Sequence, residues 1–325
     1  MANIRFYSLA LIMLGCASLR ESERPLLPTA HTTVVGPFAV HASVPLAADS
    51  TVPRTLRDVE REVGEQLGAT ADASRADVAP VDVYILDDRE KFAYFLKFHY
   101  PELPPRRAFF VADGTQRSIY AYQGERLEED LRHEATHAVL NVAYGDLPIW
   151  LDEGLAEYFE VPRALRGVNV EHLARLKAEL AAGPTTRIAT LESRRTVREM
   201  SPRDYREAWA WAHLLLNGND ADRAVLKAYL TSLRDQPAGP PLSARLAQSD
   251  ALKHGALRAH VDAIPTPPPD DPDVKLASAP ATAKTAADSP RDDDKAAANV
   301  VKVAAEEPPI PRKGFFTRVR EWIGF

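Results

Sequence analysis

The 325-residue chain contains a single cysteine, so no intrachain disulfide forms within it. Nor does basic charge dominate. The formal net charge is -6 and no basic stripe runs through the bulk of the sequence, which argues against a nucleic-acid partner. The apolar run near the N-terminus, Phe6 to Leu14, is too short to span a bilayer comfortably. What remains is enough chain for a two-lobed domain with a real core, plus additional segments at either end.

One stretch carries chemistry. Residues 133–137 read His-Glu-x-x-His, and on a helix His133 and His137 at i and i+4 share one face, so both imidazoles reach one ion. Glu134 lies about a hundred degrees round from His133, placed to touch a water beside the ion without being a ligand. A catalytic zinc takes three protein ligands and keeps one position open. Glu153 offers the third, from a separate helix with fifteen residues between it and His137. For the first pair alone, a surface histidine pair on an amphipathic helix is the plain alternative. The run from Trp150 to Glu157 weighs against it, because it sits at ligand-returning distance and is independent of the pair.

With Pro148, Trp150-Leu151, Glu153-Gly154-Leu155-Ala156-Glu157 and Tyr158 following His133-Glu134-x-x-His137, the chain resembles the gluzincin metallopeptidases, the group of thermolysin and aminopeptidase N. It is closest to the bacterial peptidase MA-like domains. The matched block covers residues 131–160, and the order of elements fits over roughly 32–233. The resemblance implies an α+β, zincin-like fold, with a mixed β-sheet and helices in residues 31–144 and a mainly helical lobe in 145–264. It implies Zn2+ held by His133, His137 and Glu153, Glu134 as general base, and hydrolysis of a peptide or protein substrate. No motif for binding a substrate amine is evident, so the expectation is an endopeptidase.

The chain ends carry their own expectations. Residues 1–15 read as a secretory leader, with Arg5 before the apolar run, and Met13-Leu14-Gly15-Cys16 resembles the bacterial lipobox, in which Cys16 becomes the lipidated N-terminus. Cleavage after Ala17 and an uncleaved anchor are the alternatives. Ala17 in place of an acidic residue favours an outer-membrane lipoprotein facing the periplasm, tethered through residues 16–30. Residues 265–311, rich in Pro, Ala, Asp and Lys, read as a disordered linker. Over 312–325, Phe315, Phe316, Val319, Trp322 and Ile323 form one helical face with Lys313, Arg318 and Arg320 largely off it. That pattern fits a membrane-surface or partner-docking helix, or else a frayed tail.

Between the ends, periodicity predicts strands at 32–35, 38–44, 81–86, 107–112 and 118–123, and helices at 51–67, 125–144, 170–182, 196–200, 204–216 and 221–233. A further helix carries Phe92, Tyr94, Phe95 and Phe98 behind the capping pair Asp87-Asp88. The resemblance makes 118–123 the edge strand beside the cleft, able to accept an extended peptide as an added strand. Glu157, four residues after Glu153, faces the same way and is placed to accept a hydrogen bond from a liganding histidine; a solvated glutamate is the alternative. Asp152 and Glu160 rank below it. Tyr205 resembles the tyrosine that opens the corresponding helix and supplies the oxyanion donor, with His213 second. An aromatic stripe packed in the core is the favoured alternative for Tyr205 and more strongly so for His213. Two other functions fit the chain: a zinc-keeping envelope scaffold, against which Glu134 speaks, and a zinc hydrolase of cell-wall peptide.

Overall fold

The computed structural model describes residues 26–69, 79–235 and 239–267. The expected leader, the lipidation candidate Cys16, most of the expected linker and the expected terminal helix lie outside the described residues. The described part is α+β, with a five-stranded mixed sheet and a set of helices. Strands β1 (His31–Val35) and β2 (Phe38–Ala42) form an antiparallel hairpin, turning at Gly36 with φ +53°. Helix α1 (Thr51–Leu67) then carries the chain to β3 (Val81–Leu86), which pairs parallel to β2. The sequence pattern predicts α1 and β3 with these same bounds.

Helix α2 (Arg89–His99) is capped by Asp88, whose carboxylate accepts from the Lys91 amide at 2.8 Å. It crosses to β4 (Ala108–Asp113) and β5 (Gln116–Tyr122), joined by a turn at Gly114 with φ +58°. The sheet order is β1-β2-β3-β5-β4. The expected edge strand is therefore corrected: β5 is interior, parallel to β3 and antiparallel to β4, and β4 is the edge. Burial gives the reason. Ser118, Ile119, Tyr120 and Ala121 are all buried, as a strand covered on both faces requires, whereas β4 leaves Phe110, Ala112 and Asp113 half-exposed.

Helices α1 and α3 (Leu127–Tyr144) pack together, and α3 lies across β4 and β5. Leu131, Ala135 and Ala138 are buried with Val83, Ile85 and Ile119 in the main core. The opposite face of the sheet has its own cluster, in which Phe92, Phe95 and Tyr100 surround Phe109 and Tyr120. Acidic Glu128, Glu129 and Asp130 occupy the first turn of α3, where the helix dipole favours them. The helix starts two residues later than the periodicity predicts.

The remainder is helical. It comprises α4 (Ile149–Phe159), α5 (Val170–Ala182), α6 (Ile188–Glu192), α7 (Pro202–Asn217), α8 (Asp220–Asp235), α9 (Leu242–Arg245) and α10 (Ala256–Ala263). Thr196 to Met200 contains only a 3₁₀ turn, Val197–Glu199. Helix α7 begins earlier than expected because Ser201 and Asp204 close a capping box over Pro202. Four-residue α9 and eight-residue α10 are too short to show a helical period. The main buried cluster runs without a break from Val35 to Ile264, so the sheet and the helices share one core. Among the described residues, no helix is long and apolar enough to cross a membrane.

Candidate metal centre

Two contacts position α4 at the site, one against α7 and one against α3. Gly154 lies so close to α7 that a Cβ there would sit 2.5 Å from the Ala208 carbonyl oxygen. Arg132, one residue before His133, is buried. It donates to the Phe159 carbonyl at the end of α4 (2.9 Å) and to Glu62 on α1 (2.5 Å). The two histidines are thereby held against α4, His137 near Asp152 and His133 near Glu160. Their rings stand edge to face with centroids 4.9 Å apart.

Glu153 meets both rings at the same nitrogen. Its Oε2 lies 3.7 Å from His133 Nε2 and its Oε1 3.9 Å from His137 Nε2. The three ligating atoms lie within 4.8 Å of one another, so the expected trio is brought together and could hold a metal ion. Ligand atoms around one tetrahedral ion at about 2.1 Å stand about 3.4 Å apart. Closing the group therefore takes small side-chain adjustments. Among the described residues this is the one such group of three.

The carboxylates behind the rings are not the expected one. His133 Nδ1 pairs with Glu160 Oε2 at 2.9 Å, and His137 Nδ1 lies 3.0 Å from Asp152 Oδ2. Glu157 instead faces His172 Nε2 of α5 at 2.9 Å. The i+4 spacing does put Glu157 on the side of α4 that bears Glu153, but its own side chain is drawn to α5. Asp152 adjoins Glu153 and reaches the more distant ring. Glu160, just past the helix end, reaches the nearer one, and its second oxygen accepts from Asn169 Nδ2 at 2.8 Å. A carboxylate beside each Nδ1 favours the proton there, so that Nε2 is the nitrogen that would give up its proton to bind an ion.

The electrostatics follow from this crowding. Burial alone would lower the pKa of His133, but hydrogen bonds to Glu153 and Glu160 and the charge of Glu134 raise it well above the ordinary value. His137 is likewise raised, burial being outweighed by Asp152 and Glu153 while His133 opposes. Burial, with the charge of Glu157, pushes Glu160 up to about 7 against the pull of His133.

Glu134 is half-buried, next to His133 on α3. Tyr205, also half-buried, lies in the field of Glu153 and Glu157. Burial first and those carboxylates second raise its pKa, against Arg106. His213 is elsewhere, and its expected role as a second oxyanion donor is corrected. Its Nδ1 meets His260 Nε2 at 2.8 Å and its ring packs on Tyr158 and Trp209, as a core histidine does. Burial, then His260 and Arg166, lower it to about 3.

Arg106 was not singled out by the sequence. It stands two residues before β4, and its charge couples to Glu134, Glu153 and Tyr205, while burial lowers its pKa to about 10. Nothing in the local pattern marks it, because an arginine after Pro104-Pro105 reads as a loop residue. No family model matches the chain, and a search of curated proteins finds no match either.

Proposed function

We propose that the chain is a zinc-dependent metallopeptidase of the gluzincin type, with a zincin-like fold, hydrolysing peptide bonds in the cell envelope. The observation that carries this reading is the orientation of the two imidazoles. Each Nδ1 is engaged by its own carboxylate, and both Nε2 atoms converge on Glu153. Two imidazole nitrogens, which give up their protons as an ion binds, and one carboxylate are the donor set of a catalytic zinc with an open position. A surface histidine pair has no need of two carboxylates behind it, one of them (Asp152) buried. Zinc held there would supply a water of lowered pKa and a polarising centre for the substrate carbonyl.

The protein's own groups do the rest. Glu134 accepts the proton of the attacking water at its carboxylate and later gives it to the leaving amine. Its half-buried position next to His133, and its charge acting on that ring, support this role. Tyr205 keeps its phenolic proton, because burial and the charges of Glu153 and Glu157 raise its pKa, and it donates that O–H where the carbonyl oxygen gains charge. Asp152 and Glu160 hold the rings in one tautomer. Lipidation of Cys16 would place the enzyme on the membrane, in keeping with the lipobox-like sequence.

Metal analysis by mass spectrometry, alongside a peptide-cleavage assay, tests the reading. Wild type is expected to bind zinc and to cut peptides in a chelator-sensitive way. Glu134→Gln should keep its zinc and lose cleavage by a factor of about 10² or more. Glu153→Ala should lose both. Zinc retained at full affinity by Glu153→Ala, or cleavage unaffected by Glu134→Gln, overturns it.

A further inference from the structure

The loop from Glu160 to Asn169, which joins α4 to α5, is pinned in its own right. Val161 and Leu165 are buried together in a small separate cluster with Val170 against them, and Trp209 Nε1 of α7 donates to the Gly167 carbonyl at 2.8 Å. Asn169 then caps α5, its side-chain Oδ1 accepting from the His172 amide at 2.9 Å. The other end of the same side chain reaches back to α4, where Nδ2 donates to Glu160 Oε1 at 2.8 Å. Glu160 Oε2 in turn stands 2.9 Å from His133 Nδ1. A continuous line of contacts thus runs from the first turn of α5 to one imidazole of the candidate metal centre. His172 Nε2, in that same turn, lies 2.9 Å from Glu157 Oε2, so α5 has a second tie to α4.

Hydrogen-bond chemistry selects an amide at this position. A backbone N–H only donates and a carboxylate only accepts, so the group between them needs an acceptor on one atom and a donor on another. Asparagine supplies both; aspartate has two acceptors, and serine has one oxygen for both tasks. A cap alone is served equally well by Asp or Ser. Resting on the zinc reading of the site, we infer that Asn169 is a positioning residue of the metal centre. It turns the Glu160 carboxylate so that Oε2 meets His133, and it fastens the first turn of α5 to the liganding ring. Without that hold the Glu160 side chain can leave its rotamer, and the ring loses the partner that orients Nε2 toward the ion. The coupling is reciprocal: an ion that fixes His133 also steadies the α5 cap.

The test is the zinc affinity of the full-length protein, read by competition with a chromophoric chelator. Wild type is compared with Asn169→Ser, Asn169→Asp, Glu160→Ala and the double variant Glu160→Ala/Asn169→Ser. Asn169→Ser keeps a cap, so the thermal midpoint of the metal-free protein should match wild type. It should nevertheless weaken zinc binding about 10-fold, the low end for groups that act behind a ligand, and Asn169→Asp, which sets a like charge against Glu160, at least as much. In the Glu160→Ala background the Asn169→Ser effect should vanish, because it is transmitted through that carboxylate. Hydrogen exchange at the His172 amide should slow when zinc is added to wild type and stay unchanged by zinc in Glu160→Ala. Full zinc affinity in both Asn169 variants, or an Asn169→Ser effect undiminished in Glu160→Ala, overturns the inference. A wild type that binds no zinc would sink the metal reading and the inference with it. One that binds zinc, shows the coupling and cuts no peptide would sink the peptidase reading alone.

Discussion

A carboxylate behind an imidazole both orients the ring and makes its far nitrogen a better donor, so removing it weakens a metal site without removing a ligand. Asp152 and Glu160 occupy those positions here. Asp152→Asn and Glu160→Gln are each expected to weaken zinc binding about 10- to 100-fold, measured by competition with a chromophoric chelator. Glu157→Gln, which alters the pair with His172, should change it far less. A further residue-scale effect belongs to His213. Its folded pKa, about 3, lies below the unfolded value of about 6.5, so the unfolded chain takes up the proton first. Stability is therefore whole above pH 6.5 and falls as the pH drops towards 3, by an amount on the order of a few kcal/mol. Urea unfolding at pH 7 and pH 4.5 should show a smaller loss on acidification in His213→Gln than in wild type.

Among the elements, the contact between α4 and α7 matters most for the site. It depends on Gly154, since any Cβ there meets the Ala208 carbonyl. Gly154→Ala favours the helix by propensity, yet it must push the two helices apart. The expected result is a net loss of about 1–3 kcal/mol in stability together with weaker zinc binding, because Glu153 moves with α4. Calorimetric melting and zinc titration of the same variant check both. A variant as stable as wild type would mean that the helices part at no cost.

On the scale of the whole molecule, one buried cluster joins the sheet to the last helix. The Glu62–Arg132 pair lies inside that junction, both side chains almost wholly enclosed. Arg132 also ties α3 to the end of α4. Glu62→Ala leaves a buried guanidinium without its carboxylate, which costs about 3–5 kcal/mol. Because the core is shared, that loss should shift a single cooperative transition, with far- and near-ultraviolet circular dichroism changing together in denaturant. Two separate transitions would mean that the sheet and the helical region fold independently.

The sequence by itself determined the elements with long amphipathic periods, such as α1 and α5, and the three residues that converge at the candidate metal centre. Those signals are local: a helix sets i and i+4 on one face, and a second helix returns within a fixed number of residues. Only the tertiary structure decided that β4 rather than β5 forms the edge, since strand order depends on which hairpin arm the parallel strand β3 accepts. It also decided that Asp152 and Glu160, not Glu157, stand behind the histidines, and that the charge of Arg106 acts on Glu134 and Glu153 while His213 pairs with His260. Each of those outcomes turns on which neighbour lies nearest across a gap between elements, and a carboxylate or a guanidinium follows the closest opposite charge rather than its own helical phase.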